Sequence, residues 1–299
     1  MDLWDDLRAS VDVVAFAEKC GMDKAHDMEL EPRQMEILRT EGKRQIFCCC
    51  RQFGKSTLAS IKALYTAVVR RQLVLVLAPT LRQSGEIFSK VKQFYRQMDD
   101  PPEAVKDTTQ ELELVNGGRI VSLPSKEGNV RGFSKPGLII EDESAWIDDA
   151  VRVAISPMLA RSGGELLLVS TPNGRIGHFY NSWLASQRSP NAPWIGHKYT
   201  ADDCKWLDAT FLSNERLDMT ESEYRQEYFC EFQESGGQVF RNQDIEAARA
   251  RGMEMLGLTE DDMQSTSREL MEGLREIRID PLPSRIRPQG DPSRIKIEV

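Results

Sequence analysis

A chain of 299 residues, 40% hydrophobic and 29% charged, is long enough for one large domain, or one domain with appendages, and can bury a real core. No apolar run approaches the roughly 20 residues of a membrane-spanning helix, and the acidic, mixed residues 1–10 do not read as a secretory signal. A net charge of −8 argues against a protein that grips nucleic acid statically over a basic face; any such contact would be local and transient.

Residues 1–27 read as a short helical preface. Residues 45–50 follow as a buried strand ending in Cys48, Cys49 and Cys50. Neighbours in a strand point to opposite faces, so these three suit neither a disulfide set nor a zinc knuckle. They read as small apolar residues in a reducing compartment. Cys20, Cys204 and Cys230, and the histidines His26, His178 and His197, are scattered in sequence and receive no metal role. Residues 55–70 read as a helix with Leu58, Ile61, Tyr65 and Val68 on one face, and residues 73–77 as a second buried strand. Ile87, Phe88, Val91, Phe94, Tyr95 and Met98 have helical spacing. Residues 111–115 and 119–123 read as a hairpin that turns at Asn116, Gly117 and Gly118. Residues 138–140 and 166–169 are two more apolar strands. Apolar strands alternating with helices predict an α/β fold, with a mostly parallel sheet flanked by helices. Beyond residue 240 the pattern changes: residues 244–279 are polar and helical at best, and Pro281, Pro283, Pro288 and Pro292 mark a disordered tail.

Three segments carry chemistry. Cys49, Cys50, Arg51, Gln52, Phe53, Gly54, Lys55 and Ser56 nearly match the phosphate-cradling pattern G-x-x-x-x-G-K-[ST], placed between a strand and a helix as that pattern requires. Cys49 stands where the first glycine belongs. Gly54 would let the backbone approach phosphates, and the amides from Gly54 to Thr57 would form an anion-binding helix N-terminus. Lys55 would reach the β- and γ-phosphates, the Ser56 hydroxyl would ligate magnesium, and Arg51 would neutralise charge developing on the γ-phosphoryl group. The second segment is the apolar strand that ends in Glu141, Asp142 and Glu143. Adjacent carboxylates at a strand end repel one another unless a cation is near. Asp142 would hold magnesium and Glu143 would orient and deprotonate water. A one-residue shift, with Glu141 and Asp142 as the working pair, is the alternative. The third segment is the strand that ends in Ser170, Thr171, Pro172, Asn173 and Gly174.

Together these segments resemble the ATPase motor of the large terminase subunit of tailed phages. Residues 50–57 resemble its arginine-bearing P-loop, and Asp142, Glu143, Ser144, Ala145 and Trp146 its Asp-Glu-x-Ala-aromatic segment, preceded by Arg131 and Gly132 at the expected place. Residues 30–34 resemble the stretch whose glutamine, here Gln34, recognises adenine. Residues 224–228, 231–232 and 239–240 resemble the stretch that closes the motor. The resemblance implies a RecA-like P-loop NTPase over residues 28–242 with a small appended subdomain, using ATP and Mg2+. It implies that Gln34 reads adenine, that residues 51–57 hold the phosphates, and that Thr171 and Asn173 couple the γ-phosphate state to subdomain motion. It further implies transient contact with double-stranded DNA, a portal protein, a small terminase subunit, a ring of identical subunits and action in the bacterial host cytoplasm.

Large terminases of this family also carry an RNase H-like nuclease, which needs several strands and an acidic two-metal cluster. Residues 243–299 offer neither pattern, so no nuclease is expected there; a truncated prophage copy, a split gene, or a motor served by a separate nuclease all remain open. Arg33, Arg39, Lys43 and Arg44 form one candidate phosphate-contacting patch, and Arg82, Lys90, Lys92 and Arg96 another; solvated helix faces explain both equally well. The competing functions are another nucleic-acid-stimulated ATPase of helicase type, for which a second RecA-like lobe is too long for residues 244–299, and a remnant that binds nucleotide without turnover.

Overall fold

The computed structural model describes residues 3–21, 30–189, 192–234 and 251. The chain divides into two compact units, residues 1–237 and 238–299. The expectations for residues 243–299, and for Val239 and Phe240, lie outside the described residues, Arg251 apart.

In the first unit the elements run α1 (Leu3–Val11), α2 (Val13–Lys19), α3 (Pro32–Arg39), β1 (Arg44–Cys49), α4 (Lys55–Val68), β2 (Leu73–Ala78), α5 (Leu81–Gln97), β3 (Ala104–Asp107), β4 (Glu111–Leu114) and β5 (Arg119–Pro124). They continue with α6 (Glu127–Val130), β6 (Leu138–Asp142), α7 (Asp149–Ser162), β7 (Glu165–Ser170), α8 (Gly177–Gln187), β8 (Ile195–Tyr199), α9 (Ala209–Asp218) and α10 (Glu221–Phe229). The strands form one sheet of eight in the order β3-β4-β5-β2-β6-β7-β1-β8. From β5 to β8 every neighbouring pair is parallel, and β3-β4-β5 is an antiparallel corner. The expected mostly parallel α/β sheet is therefore present.

The central strands β1, β2, β6 and β7 are buried along nearly their whole length. Helices cover them: α4 packs on β2 and β6, α5 on β2 and β5, and α8 on β1 and β8. A strand covered on both faces needs apolar residues at every position, which is why these four appear in the sequence as unbroken runs rather than alternations. Cys48, Cys49 and Cys50 are buried free thiols within this core. α2 contributes Val13, Val14, Phe16, Ala17 and Cys20 to the same core, and Phe16 meets Tyr65 of α4 edge-to-face at 5.4 Å. A smaller cluster of Ala201, Tyr224 and Tyr228, with Phe211 and Leu212 packed against it, holds α9 and α10 together as the appended part.

The hairpin turn shows local chemistry setting the backbone path. Asn116 Oδ1 accepts from the Gly118 amide at 2.8 Å, while its Nδ2 donates to the Val68 carbonyl at 2.8 Å. Gly117 takes φ 89°, and a Cβ on Gly118 would sit 1.9 Å from the Ala67 carbonyl oxygen, so the turn rests directly on the end of α4.

One consequence of the strand order matters for function. β7 lies between β1 and β6, pairing Cys48 with Ser170 on one side and Asp142 with Val169 on the other. The C-terminal ends of the three motif-bearing strands are therefore neighbours at one sheet edge, the place where open α/β sheets bind ligands.

Candidate active site

The loop after β1 turns sharply into the N-terminus of α4, the geometry a phosphate cradle requires. Gln52 takes φ 61° and Gly54, the N-cap of α4, φ 90° and ψ 18°, so the chain reverses sharply before the helix begins. Glycine takes this left-handed conformation without steric cost, and its Cβ position faces Gln34 Nε2 at 3.0 Å. Lys55 Nζ curls back over the loop, donating to the carbonyls of Cys49 at 3.3 Å and Cys50 at 3.2 Å. Cys49 is a strand residue with its side chain buried in the core, so the missing first glycine costs the turn little. The tight backbone geometry falls at Gln52 and Gly54 instead.

Other elements brace the loop. The Arg51 amide donates to the Glu227 carbonyl at 2.9 Å, and Arg51 Nε lies 3.2 Å from Glu227 Oε2. Trp206 Nε1 donates to the Gln52 carbonyl at 2.9 Å. Phe53 is fully buried and stacks on Tyr199 with ring centroids 4.9 Å apart. Gln34 sits at the start of α3, donating from Nε2 to the Phe53 carbonyl at 2.8 Å and accepting from the Glu31 amide at 3.0 Å. Its carboxamide keeps one N–H and one lone pair for another partner.

The three acids at the end of β6 separate by environment. Glu141 is fully buried and turned away from the cleft, with Oε2 accepting from Ser144 Oγ at 2.8 Å and lying 2.7 Å from His178 Nε2. Asp142 is buried, and its Oδ1 has no hydrogen-bond partner. Burial, then the neighbouring Glu143, pushes the Asp142 carboxyl up to about 7, while Lys55 pulls the other way. Glu143 takes the left-handed conformation at φ 49° and ψ 45°, which swings its side chain into the cleft, where Oε2 accepts from Ser170 Oγ at 3.1 Å. This arrangement favours Asp142 and Glu143 as the working pair over the shifted pair of Glu141 and Asp142. Among the described residues no group of three or more His, Cys, Asp or Glu side chains could cage a metal. Magnesium is usually held by one or two protein oxygens together with substrate phosphates and water. The orphaned Asp142 Oδ1 and the Ser56 hydroxyl in the first turn of α4 fit that mode.

The cleft has a volume of about 330 Å³ and is lined by Arg51, Pro79, Gln83, Glu143, Trp146, Thr171 and Glu227. The structure thus gathers Arg51, Glu143 and Thr171 around one opening, with Asp142 within electrostatic reach of Glu143 and Lys55. Asn173 takes a different place: its Nδ2 donates to the Ala145 carbonyl at 3.4 Å, tying the third motif to the turn after β6. Trp146, Ser170 and Glu227 fall within segments noted in the sequence but were given no role of their own, and Gln83 was not singled out at all. Gln83 lies on α5, remote in sequence from the motifs, and only the tertiary fold brings it to the cleft. Ser170 did carry a signal, as the last residue of a strand whose neighbours end at the site. The two basic patches hold less free charge than their sequence suggests. Arg33 pairs with Glu36 at 3.1 Å and Arg39 with Asp12 at 2.7 Å, Lys92 pairs with Asp107, and Lys90 Nζ donates to Thr57 Oγ1 at 3.3 Å.

Comparison with known proteins agrees with this geometry. The family model described as terminase large subunit, T4likevirus-type, N-terminal, matches residues 46–247, more than half of the chain. The large terminase subunit of Thermus phage G20c is 28% identical over 246 residues, covering 71% of this chain and 50% of that protein. The one from Escherichia phage T5 is 26% identical over 197 residues, covering 64% and 44%. The chain thus spans about half the length of the curated relatives it matches. Among solved structures, the large terminase ATPase domain of Thermus phage P74-26 aligns with a TM-score of 0.62 at 25% identity, covering 73% of this chain and 97% of that one. The large terminase of bacteriophage HK97 shares the fold, with a TM-score of 0.61 at 17% identity over 75% of this chain and 55% of that one. With the P-loop, the paired acids and the third motif on three adjacent parallel strands, and the family model spanning all of them, this chain belongs to the terminase large subunit family, in its N-terminal region.

Proposed function

We propose that this chain hydrolyses ATP to drive double-stranded viral DNA into a procapsid, and that residues 28–242 form the motor. The observation that supports this reading is the position of β7 between β1 and β6, which brings the loop after β7 beside both the loop after β1 and the acids at the end of β6. Glu143 takes a proton from a water as that water attacks the γ-phosphorus in line, and the bond to the β-γ bridging oxygen breaks to give ADP and phosphate. Lys55 and Arg51 hold the negative charge on the phosphoryl oxygens, and Gln52, Phe53, Gly54 and Thr57 shape the cradle around it. Asp142 and Ser56 would hold Mg2+, which would supply positive charge to offset that of the phosphates. Gln34 offers its remaining N–H and lone pair to an adenine edge, the bidentate match that a carboxamide makes with adenine.

Thr171 in the cleft reads whether the γ-phosphate is present, and Asn173, bonded to Ala145, passes the change along. The ion-paired basic residues favour weak contacts with DNA, as a motor that must release its track at every step requires. A portal protein, a small terminase subunit and a ring of identical subunits in the bacterial host cytoplasm complete the reading. The test is ATP hydrolysis by the full chain with magnesium, with and without linear double-stranded DNA. Magnesium-dependent turnover that DNA accelerates is expected; turnover indifferent to both DNA and a portal would refute translocation.

A further inference from the structure

His178 belongs to none of the motifs above, yet it is 8% exposed and lies directly behind the catalytic strand end. Its Nε2 is 2.7 Å from Glu141 Oε2 and 3.0 Å from Ser144 Oγ. Its Nδ1 is 3.0 Å from Asp149 Oδ1, the same oxygen that accepts the His178 backbone amide at 2.7 Å. With a carboxyl oxygen at each ring nitrogen, both sides of the ring have a hydrogen-bond partner and the surroundings favour the protonated ring. Burial alone pulls such a ring down, but the bonds to Glu141 and Asp149 outweigh it and hold the His178 pKa above its usual value.

Three elements converge on this ring. Glu141 is the residue before Asp142 on β6, Asp149 opens α7, and His178 stands in the first turn of α8, four residues after Gly174 of the third motif. Between Glu141 and Asp149 lies the turn that holds Glu143 left-handed. That conformation is costly for a side chain other than glycine and persists only where its surroundings impose it. Ser144, bonded to both Glu141 and His178, fixes the residue immediately after Glu143.

We propose that His178 is a positioning residue: a buried hydrogen-bonded bridge that keeps Glu143 aimed into the cleft and fastens the helix following the third motif to the strand end carrying the catalytic acids. A shift of the Thr171 loop then reaches Glu143 through side chains as well as backbone. The role of the bridge in turnover rests on the ATPase reading above, whereas its role in holding the turn does not.

The test uses the full chain carrying His178→Gln, which keeps one donor for Glu141, and separately Asp149→Asn at an exposed carboxyl. Two quantities are read: amide hydrogen exchange, and the separate effects on affinity for a non-hydrolysable ATP analogue and on kcat. The bridge predicts at least tenfold faster exchange at the Trp146 and Ile147 amides, which close the turn on Glu143 and Ser144, with β1 and β2 amides unchanged. It also predicts at least a tenfold fall in kcat with analogue affinity kept within twofold, and smaller changes of the same kind for Asp149→Asn. Unchanged exchange at Trp146 and Ile147 in both variants would overturn the proposal. So would a uniform rise across the sheet, or affinity falling in step with kcat. If the wild-type chain fails to turn over ATP, the ATPase reading fails, and the exchange measurement still decides the bridge.

Discussion

Asp142 shows what the site costs the fold. Its carboxyl is buried with one oxygen unpartnered, and its folded pKa, raised to about 7 from 3.8, means the native state binds more protons than the unfolded state between those values. Stability contributed at this residue therefore falls as pH rises through that window, by an amount on the order of a few kcal/mol. Asp142→Asn should remove that component. In magnesium-free urea titrations from pH 4 to pH 8, the stability of the variant should gain on the wild type as pH rises, while ATP turnover is lost; parallel pH profiles would contradict the assignment. Lys55 acts through the ligand instead. Lys55→Ala should weaken ATP binding at least tenfold, about 1.4 kcal/mol, by fluorescence titration, and unchanged affinity would mean the loop is no cradle. At this scale the sequence pointed to Lys55, Asp142 and Glu143, and the structure brings them close together. It left Glu141 open as an alternative partner of Asp142, because a buried acid and an active one look alike until His178, 37 positions away, is seen beside it.

The elements were legible in proportion to their burial. β1, β2, β6 and β7 are covered on both faces and announced themselves as apolar runs. β3 and β8, the outermost strands, were not read: three of the four β3 residues are exposed, and β8 carries Gly196, His197 and Lys198. An edge strand has one neighbour and partial cover, so nothing forces an apolar pattern on it. The hairpin was legible from Asn116, Gly117 and Gly118, although no residue pattern reveals that Gly118 touches α4. That contact makes a sharp prediction. Gly118→Ala should destabilise the chain by about 3 kcal/mol, seen as a lower urea midpoint, because its Cβ would meet the Ala67 carbonyl oxygen at 1.9 Å and the backbone must shift. Glycine and alanine variants of equal stability would show that the turn stands clear of the helix.

Across the whole molecule, strand order turns three sequence-distant segments into one site. No single motif specifies that order: the P-loop lacks its first glycine, and the acidic strand end allowed two registers. The order becomes compelling once β7 is seen hydrogen-bonded to β1 and β6 together, with Ser170 reaching Glu143. α10 extends the same body beyond the motif strands and braces the loop through Glu227 against Arg51, while α2 packs on α3 and α4 in the common core. The central claim is that Glu143 in this assembled cleft activates the attacking water. The most direct measurement compares ATP affinity and magnesium-dependent turnover of the full chain with those of Glu143→Gln. A general base at Glu143 predicts affinity within about twofold and turnover reduced by at least two orders of magnitude in the Gln variant. Turnover at the wild-type rate in the Gln variant would contradict it and move the base elsewhere in the cleft.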